Sequence, residues 1–325
     1  MELKKIVILG TGGTIAGTGA GALDHTGYTA AQLGVRELLA GLPGWGEDAA
    51  DRLVMEQVAQ LDSKDMSFAV WTRLAERVAH YLARPDVAGI VITHGTDTLE
   101  ETAFWLQAVL SPTKPVVLTC AMRPATALVP DGPQNLLDAL TVAGLKGAHG
   151  VTAVCAGKVH SALDVQKVHP YRLDAFDSGE QGPLGFVEEG CVRLVRPWPD
   201  MAAIASAVAR PAAKVGAWLP SQATVWPRVD IVTSCAGVDG QTVQSLIRGG
   251  TQGIVVAATG NGTVHQDLEA ALRIAMQQQG LKVLRATRCA QGQVLPGVSD
   301  ALPAAPGLTP TKARIALILQ LMRGD

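Results

Sequence analysis

No stretch of this chain approaches the roughly 20 uninterrupted apolar residues that a membrane-spanning helix needs, so no membrane role is expected. There is no basic run interleaved with aromatics, and the formal net charge is only −2, so a nucleic-acid partner is not expected either. The cysteines, Cys120, Cys155, Cys191, Cys235 and Cys289, include no C-x-x-C pair, and the histidines form neither H-E-x-x-H nor H-x-H. That excludes a zinc centre and a disulfide framework, leaves the chemistry metal-free and without a cofactor, and makes most cysteines small core residues. The amino terminus, Met1-Glu2-Leu3-Lys4-Lys5, runs into a short apolar strand with no apolar signal core, so the expected location is the cytoplasm.

What is present is a globular composition, 48% hydrophobic and 17% charged over 325 residues, enough for two domains with substantial cores. Short β-branched runs alternate with helix-period segments, the pattern of a parallel sheet flanked by helices. Strands are expected at Lys5 to Leu9, Gly89 to Thr93, Pro115 to Thr119, Val151 to Cys155, Asp230 to Thr233, Gly253 to Ala257 and Lys282 to Ala286. Helices are expected from Met66 to Leu82, with Val70, Leu74, Val78 and Tyr81 on one face, and from about Leu99, aligning Ala103, Leu106 and Leu110. Thr98 and Glu101 form a capping-box pattern, and Thr309-Pro310 opens a terminal helix running to about Leu321. Prolines cluster between Arg196 and Arg228 around an alanine-rich segment that could be a short helix. The expected organisation is therefore an α/β chain: a larger amino-terminal domain over 1–196 with a mostly parallel sheet, a linker over 197–214, and a smaller α/β domain over 215–325.

Two segments carry chemistry. Leu9-Gly10-Thr11-Gly12-Gly13-Thr14-Ile15-Ala16-Gly17 follows the first strand, so its glycines bring main-chain amides and the Thr14 hydroxyl to the carboxyl edge, where open α/β sheets bind ligands. Its spacing fits neither a P-loop nor G-x-G-x-x-G, which disfavours a nucleotide. The second segment, Ile92-Thr93-His94-Gly95-Thr96-Asp97-Thr98, is again a strand end feeding a helix. Thr98 serves as the cap there, which leaves Thr96 and Asp97 without a capping duty, and His94 reads as a structural residue. Lys167, within Asp164-Val165-Gln166-Lys167, becomes relevant if it lies beside Asp97. A threonine hydroxyl is essentially never ionised near neutral pH, so its attack requires a neighbour to take the proton.

Thr11-Gly12-Gly13-Thr14-Ile15-Ala16-Gly17 and Thr93-His94-Gly95-Thr96-Asp97-Thr98 resemble the two signature segments of the bacterial-type L-asparaginase family, which includes glutaminase-asparaginases. The resemblance continues through Gly27-Tyr28-Thr29, Asp62-Ser63-Lys64-Asp65-Met66, Ala121-Met122-Arg123-Pro124, Asp131-Gly132-Pro133-Gln134-Asn135, Asp164-Val165-Gln166-Lys167, Gly182-Pro183-Leu184-Gly185, Gly260-Asn261-Gly262 and Leu308-Thr309-Pro310-Thr311-Lys312-Ala313-Arg314. Nearly the whole chain is covered.

The resemblance implies an amidohydrolase that converts asparagine to aspartate and ammonia, with weak activity on glutamine, and that assembles as a homo-oligomer, dimer or tetramer, with the site between subunits. By that resemblance Thr14 is the nucleophile and Tyr28, on a closing loop, helps activate it. Thr96, Asp97 and Lys167 form a second catalytic group, with Thr96 left open as the alternative nucleophile. Asp97 also receives the substrate α-ammonium and Ser63 the α-carboxylate. Lys64 stands where many relatives have a substrate-touching Gln or Glu, Thr263 stands where a subgroup has a second Asn, and Gln291 to Pro306 offers no clear match for the acid some relatives lend to a neighbouring subunit. These departures weaken the case for glutamine more than for asparagine. Two rival readings share the same motifs: a non-catalytic amino-acid sensor and a tRNA-dependent glutaminase subunit.

Overall fold

The structure, a computed structural model, describes residues 4–40, 42, 52–199, 220, 225–295, 297 and 302–324. The described residues through Pro199 fall in one compact unit and those from Val225 onward in a second. The linker expected over 197–214, with its alanine-rich segment, lies outside the described residues from 200 on.

In the first unit the strands are β1 (Lys5–Gly12), β2 (Leu53–Leu61), β3 (Val87–Thr93), β4 (Pro115–Thr119), β5 (Gly150–Cys155), β6 (Lys158–Ser161), β7 (Gln166–Lys167), β8 (Phe176–Asp177), β9 (Gly185–Glu188) and β10 (Cys191–Leu194). Its helices are α1 (Val35–Ala40), α2 (Phe68–Leu82), α3 (Leu99–Leu110) and α4 (Gly132–Ala143). Eight strands form one sheet in the order β10-β9-β6-β5-β4-β3-β1-β2, parallel from β2 through β5 and antiparallel beyond. After β1 the chain turns to β2 on one side and then to β3 on the other. The carboxyl ends of β1 and β3 therefore mark the reversal in strand order at which doubly wound sheets bind ligands.

Val, Ile and Leu dominate the central strands because both faces are covered: β3 and β4 are buried almost throughout. On one face α1 and α4 pack Leu39, Leu136 and Ala139 against Ile8, Val91 and Val117. α2 and α3 stack on each other through Trp71 and Trp105, ring centroids 5.4 Å apart. Ser67 caps α2 by accepting the Val70 N–H at 3.3 Å, and the buried face of that helix runs through Trp71, Leu74, Ala75 and Val78, while Val70 is only half-buried. In α3 every residue from Thr102 to Leu110 is buried, so it is a core helix rather than an amphipathic one.

The second unit has β11 (Val229–Thr233), β12 (Gly253–Ala258) and β13 (Lys282–Thr287) as a parallel three-stranded sheet, with α5 (Gln241–Arg248), α6 (Gln266–Gln279) and α7 (Pro310–Arg323). Its core joins Val232, Ile254, Val256, Leu268, Leu272 and Val283. α7 begins where Thr309-Pro310 predicts, with the Thr309 hydroxyl accepting the Lys312 N–H.

One expectation about packing is overturned. Only Cys120 and Cys155 are buried, side by side at the ends of β4 and β5 with sulfurs 3.2 Å apart, whereas Cys191, Cys235 and Cys289 are exposed. Cys191 lies on the sheet's outermost strand and the other two in turns just past β11 and β13, where the chain has left the core.

Candidate active site

β1 and β3 run in register up to Gly10 opposite Thr93, and the Thr11 hydroxyl then donates to the Thr93 carbonyl at 2.8 Å, tying the two exits together. Gly13 adopts φ 84° and ψ −173°, a region open essentially to glycine, and its Cα faces the Gly95 backbone so closely that any Cβ would collide with it. Thr14 and Thr96 each follow one of these glycines, so the contact brings both buried hydroxyl residues to one place. Thr14 opens a single 3-10 turn, and its Oγ1 lies 2.6 Å from the Tyr28 hydroxyl. Tyr28 comes from the largely exposed loop 18–29, whose ends pair as Thr18 with Thr29 and whose Gly19 N–H donates to Thr126 Oγ1 at 2.8 Å.

The turn after β3 is braced from below. Trp71 Nε1 donates to Thr102 Oγ1 at 2.8 Å, Thr102 Oγ1 lies 2.9 Å from His94 Nε2, and His94 Nδ1 lies 2.7 Å from the Gly95 carbonyl. A carbonyl can only accept, so Nδ1 carries the proton and Nε2 accepts from Thr102. Complete burial pushes the His94 pKa down to about 4, which keeps the ring neutral. His94 is thus the structural residue the sequence suggests.

Above this brace, Lys167 Nζ donates to Thr96 Oγ1 at 2.8 Å and to Asp97 Oδ1 at 2.6 Å. The lysine side chain is mostly buried and that of Asp97 half-exposed, so the carboxylate retains an open side. Ser63, 2% exposed, accepts the Asp97 N–H at 3.1 Å and lies against Gly95. Thr98 does not cap α3 as the capping-box pattern suggests: its φ is −127° with ψ 19°, and its hydroxyl donates to the Ser63 carbonyl at 2.8 Å. Binding the Ser63 turn takes precedence over capping. Lys64 stands beside Ser63 but turns outward, its ammonium on Asp62 at 2.7 Å and Asp65 at 3.2 Å, with the Asp62 hydrogen bond foremost in raising its pKa.

Of the residues singled out from sequence, Thr14 and Tyr28 form one pair, Thr96, Asp97 and Lys167 a second cluster, and Ser63 joins the second through Asp97. Sequence reasoning missed the Trp71 and Thr102 brace and the Glu100 carboxylate, which accepts the Lys167 main-chain N–H at 2.5 Å. Nothing in the sequence marks either: Trp71 and Thr102 look like core, and Glu100 like an ordinary first-turn acid. Among the described residues no group of three or more His, Cys, Asp or Glu is arranged to hold a metal, and no helix is long and apolar enough to cross a membrane.

A hydroxyl beside a phenol, a second hydroxyl beside an ammonium, and main-chain amides at two glycine turns can together attack a carbonyl carbon and hold the charge that develops on its oxygen. That is the equipment of a hydrolase that works by nucleophilic attack on an acyl carbon. The family model for "Asparaginase, N-terminal" matches residues 5–199, and that for "Glutaminase/Asparaginase C-terminal domain" matches 228–325. L-asparaginase 2 of Bacillus subtilis (strain 168) is 35% identical over 327 residues, covering 99% of this chain and 84% of that protein. The glutaminase-asparaginase of Pseudomonas fluorescens biotype A is 36% identical, covering 99% and 87%. The crystal structure of a probable cytoplasmic L-asparaginase from Campylobacter jejuni superposes with a TM-score of 0.88 at 36% identity, covering 98% of this chain and 95% of that one. The chain belongs to the asparaginase family.

Proposed function

We propose that this chain hydrolyses the side-chain amide of free asparagine to aspartate and ammonia, with glutamine as a poor second substrate. The observation that carries the reading is the pair of clusters on either side of the Gly13 and Gly95 contact: Thr14 with Tyr28 at 2.6 Å, and Thr96 with Lys167 at 2.8 Å. The amino-acid backbone of the substrate suits the site's rim, with Asp97 for the α-ammonium, Ser63 for the α-carboxylate and Lys64 beside it. Thr14 Oγ1 attacks the amide carbon while its proton passes to the Tyr28 hydroxyl, which relays its own proton toward the amide nitrogen. The carbon–nitrogen bond then breaks, the nitrogen leaves as ammonia with that proton, and an acyl-threonine ester remains. Water activated within the Thr96 and Lys167 cluster then attacks the ester carbon, the bond from that carbon to Thr14 Oγ1 breaks, and the water's proton passes to the departing oxygen to restore the Thr14 hydroxyl. These steps use protein groups alone, so a chelator is expected to leave the rate unchanged.

The domain scheme, 1–196 and 215–325 joined by 197–214, belongs to the same proposal, as do a homo-oligomeric assembly, dimer or tetramer, and a cytoplasmic location. Limited proteolysis, light scattering and cell fractionation test these in turn. The function itself is tested by ammonia release from asparagine and glutamine. Release from asparagine without tRNA, abolished in Thr14→Ala, is the expected result. No release from either amide would favour an amino-acid sensor, and release from glutamine only in the presence of charged tRNA would favour the tRNA-dependent subunit.

A further inference from the structure

Lys167 stands on a strand only two residues long. β7 pairs with β8 through Gln166 opposite Asp177 and Lys167 opposite Phe176, and just beyond it the Val168 N–H donates to the Ala175 carbonyl at 2.8 Å, so the hairpin holds the strand to β8 alone. The Glu100 carboxylate ties the strand to α3 by accepting the Lys167 main-chain N–H at 2.5 Å. Glu100 is the second residue of α3, and Thr96 and Asp97 stand in the turn that enters the same helix. Those two residues hold the other end of the lysine, with Nζ at 2.8 Å from Thr96 Oγ1 and 2.6 Å from Asp97 Oδ1. One helix terminus therefore grips the lysine at its main chain and at its ammonium. A flexible four-carbon stem between two points fixed on one rigid body has few rotamers left, so α3 constrains the distance from ammonium to hydroxyl.

We infer that Glu100 is the positioning residue for Lys167, holding the ammonium against the Thr96 hydroxyl through the main chain. The inference rests on the proposed role of Lys167 in hydrolysis. Displacing a reacting group by about 1 Å costs as much as about 100-fold in rate, and the loss falls on the chemical step rather than on substrate capture. Loss of the Glu100 acceptor therefore lowers kcat while leaving KM nearly alone.

The experiment measures kcat, KM and melting temperature for Glu100→Ala, Glu100→Gln, Glu100→Asp and Lys167→Met, and for the Glu100→Ala, Lys167→Met double variant. Glu100→Ala should lower kcat by about 10- to 100-fold with KM within about threefold. Glu100→Gln, whose amide oxygen accepts the same N–H, should recover to within about threefold of the starting rate, while Glu100→Asp, one methylene short, should not. In the Lys167→Met background, Glu100→Ala should cost less than about twofold more, because the group it positions is gone. Should Glu100→Ala fail to fold, Glu100→Asp carries the test. Unchanged kcat in Glu100→Asp, or an equal Glu100→Ala loss in both backgrounds, overturns the inference alone. Full activity in Lys167→Met overturns the role of Lys167 and this inference with it.

Discussion

Thr14 and Thr96 stand on either side of one glycine contact, yet they are held by different means. Thr14 meets a single phenol that arrives on a largely exposed loop, pinned by the Thr18 and Thr29 pairing and by Thr126. Thr96 meets an ammonium that also grips Asp97, and the turn beneath it rests on a buried chain from Trp71 through Thr102 and His94 to the Gly95 carbonyl. The first hydroxyl is thus partnered from an exposed loop, and the second from a cluster seated on a buried brace. The half of the site that carries charge is therefore the more rigidly held of the two.

The division is open to direct attack, and the largest effect should come from the hydroxyls themselves. Thr14→Ala should still bind aspartate yet lose about 10⁴-fold or more in kcat, as nucleophile removal does elsewhere. Thr96→Ala should lose comparable turnover while still forming the acyl ester, which mass spectrometry of the quenched enzyme would detect on the Thr14 peptide. An ester found on Thr96 would reverse the two roles. Next in size, Tyr28→Phe should cost about 10²- to 10³-fold in kcat by removing the proton's route from Thr14. A Tyr28→Phe rate within a factor of a few of the unaltered enzyme would mean that the loop matters only as a cover.

Smaller effects should appear in stability. Gly13→Ala would force a Cβ into the Gly95 backbone at φ 84°, and a loss of about 3 kcal/mol or more is expected, read from urea denaturation. Normal stability there would mean that the two loops need not touch. The last prediction concerns two buried histidines, His94 and the β6 residue His160, whose Nδ1 lies 2.8 Å from Ser178 Oγ. Burial pushes both His94 and His160 down to about 4 from 6.5, so the unfolded chain binds more protons than the folded one between those values. Stability should therefore be complete above pH 6.5, fall as the pH drops toward 4 by at most about 3 kcal/mol for each histidine, and lose no more on their account below that. His160→Gln should flatten part of that slope in urea midpoints taken across this window. A slope unchanged by the substitution would show that carboxylates alone set it.

The central strands were legible because burial on both faces leaves an unbroken β-branched run: Pro115 to Thr119 is a strand end to end, and Gly89 to Thr93 is short by only two residues at its start. β2 escaped notice because it lies at the sheet edge and is mostly half-buried, which dilutes its apolar signal. β7 and β8 have two residues each, below the length at which any period can be read. Thr98 was misread for a related reason, since a capping pattern describes what a side chain can do locally and is blind to the Ser63 carbonyl that reaches it from 35 residues away in sequence.

By itself the sequence determined the elements whose signal is local: the buried strands, the glycines that permit the Gly12 and Gly13 turn, and the Thr309 cap with its following proline. It also supplied, through ordered motifs, which alcohols, acid and amine to watch. Only the tertiary structure decided that Lys167 reaches Thr96 across 71 residues, that Glu100 holds its main chain, and that His94 is neutral within a closed relay. Those outcomes depend on strand order and burial, which arise from the packing of distant segments and so leave no period or spacing in the chain.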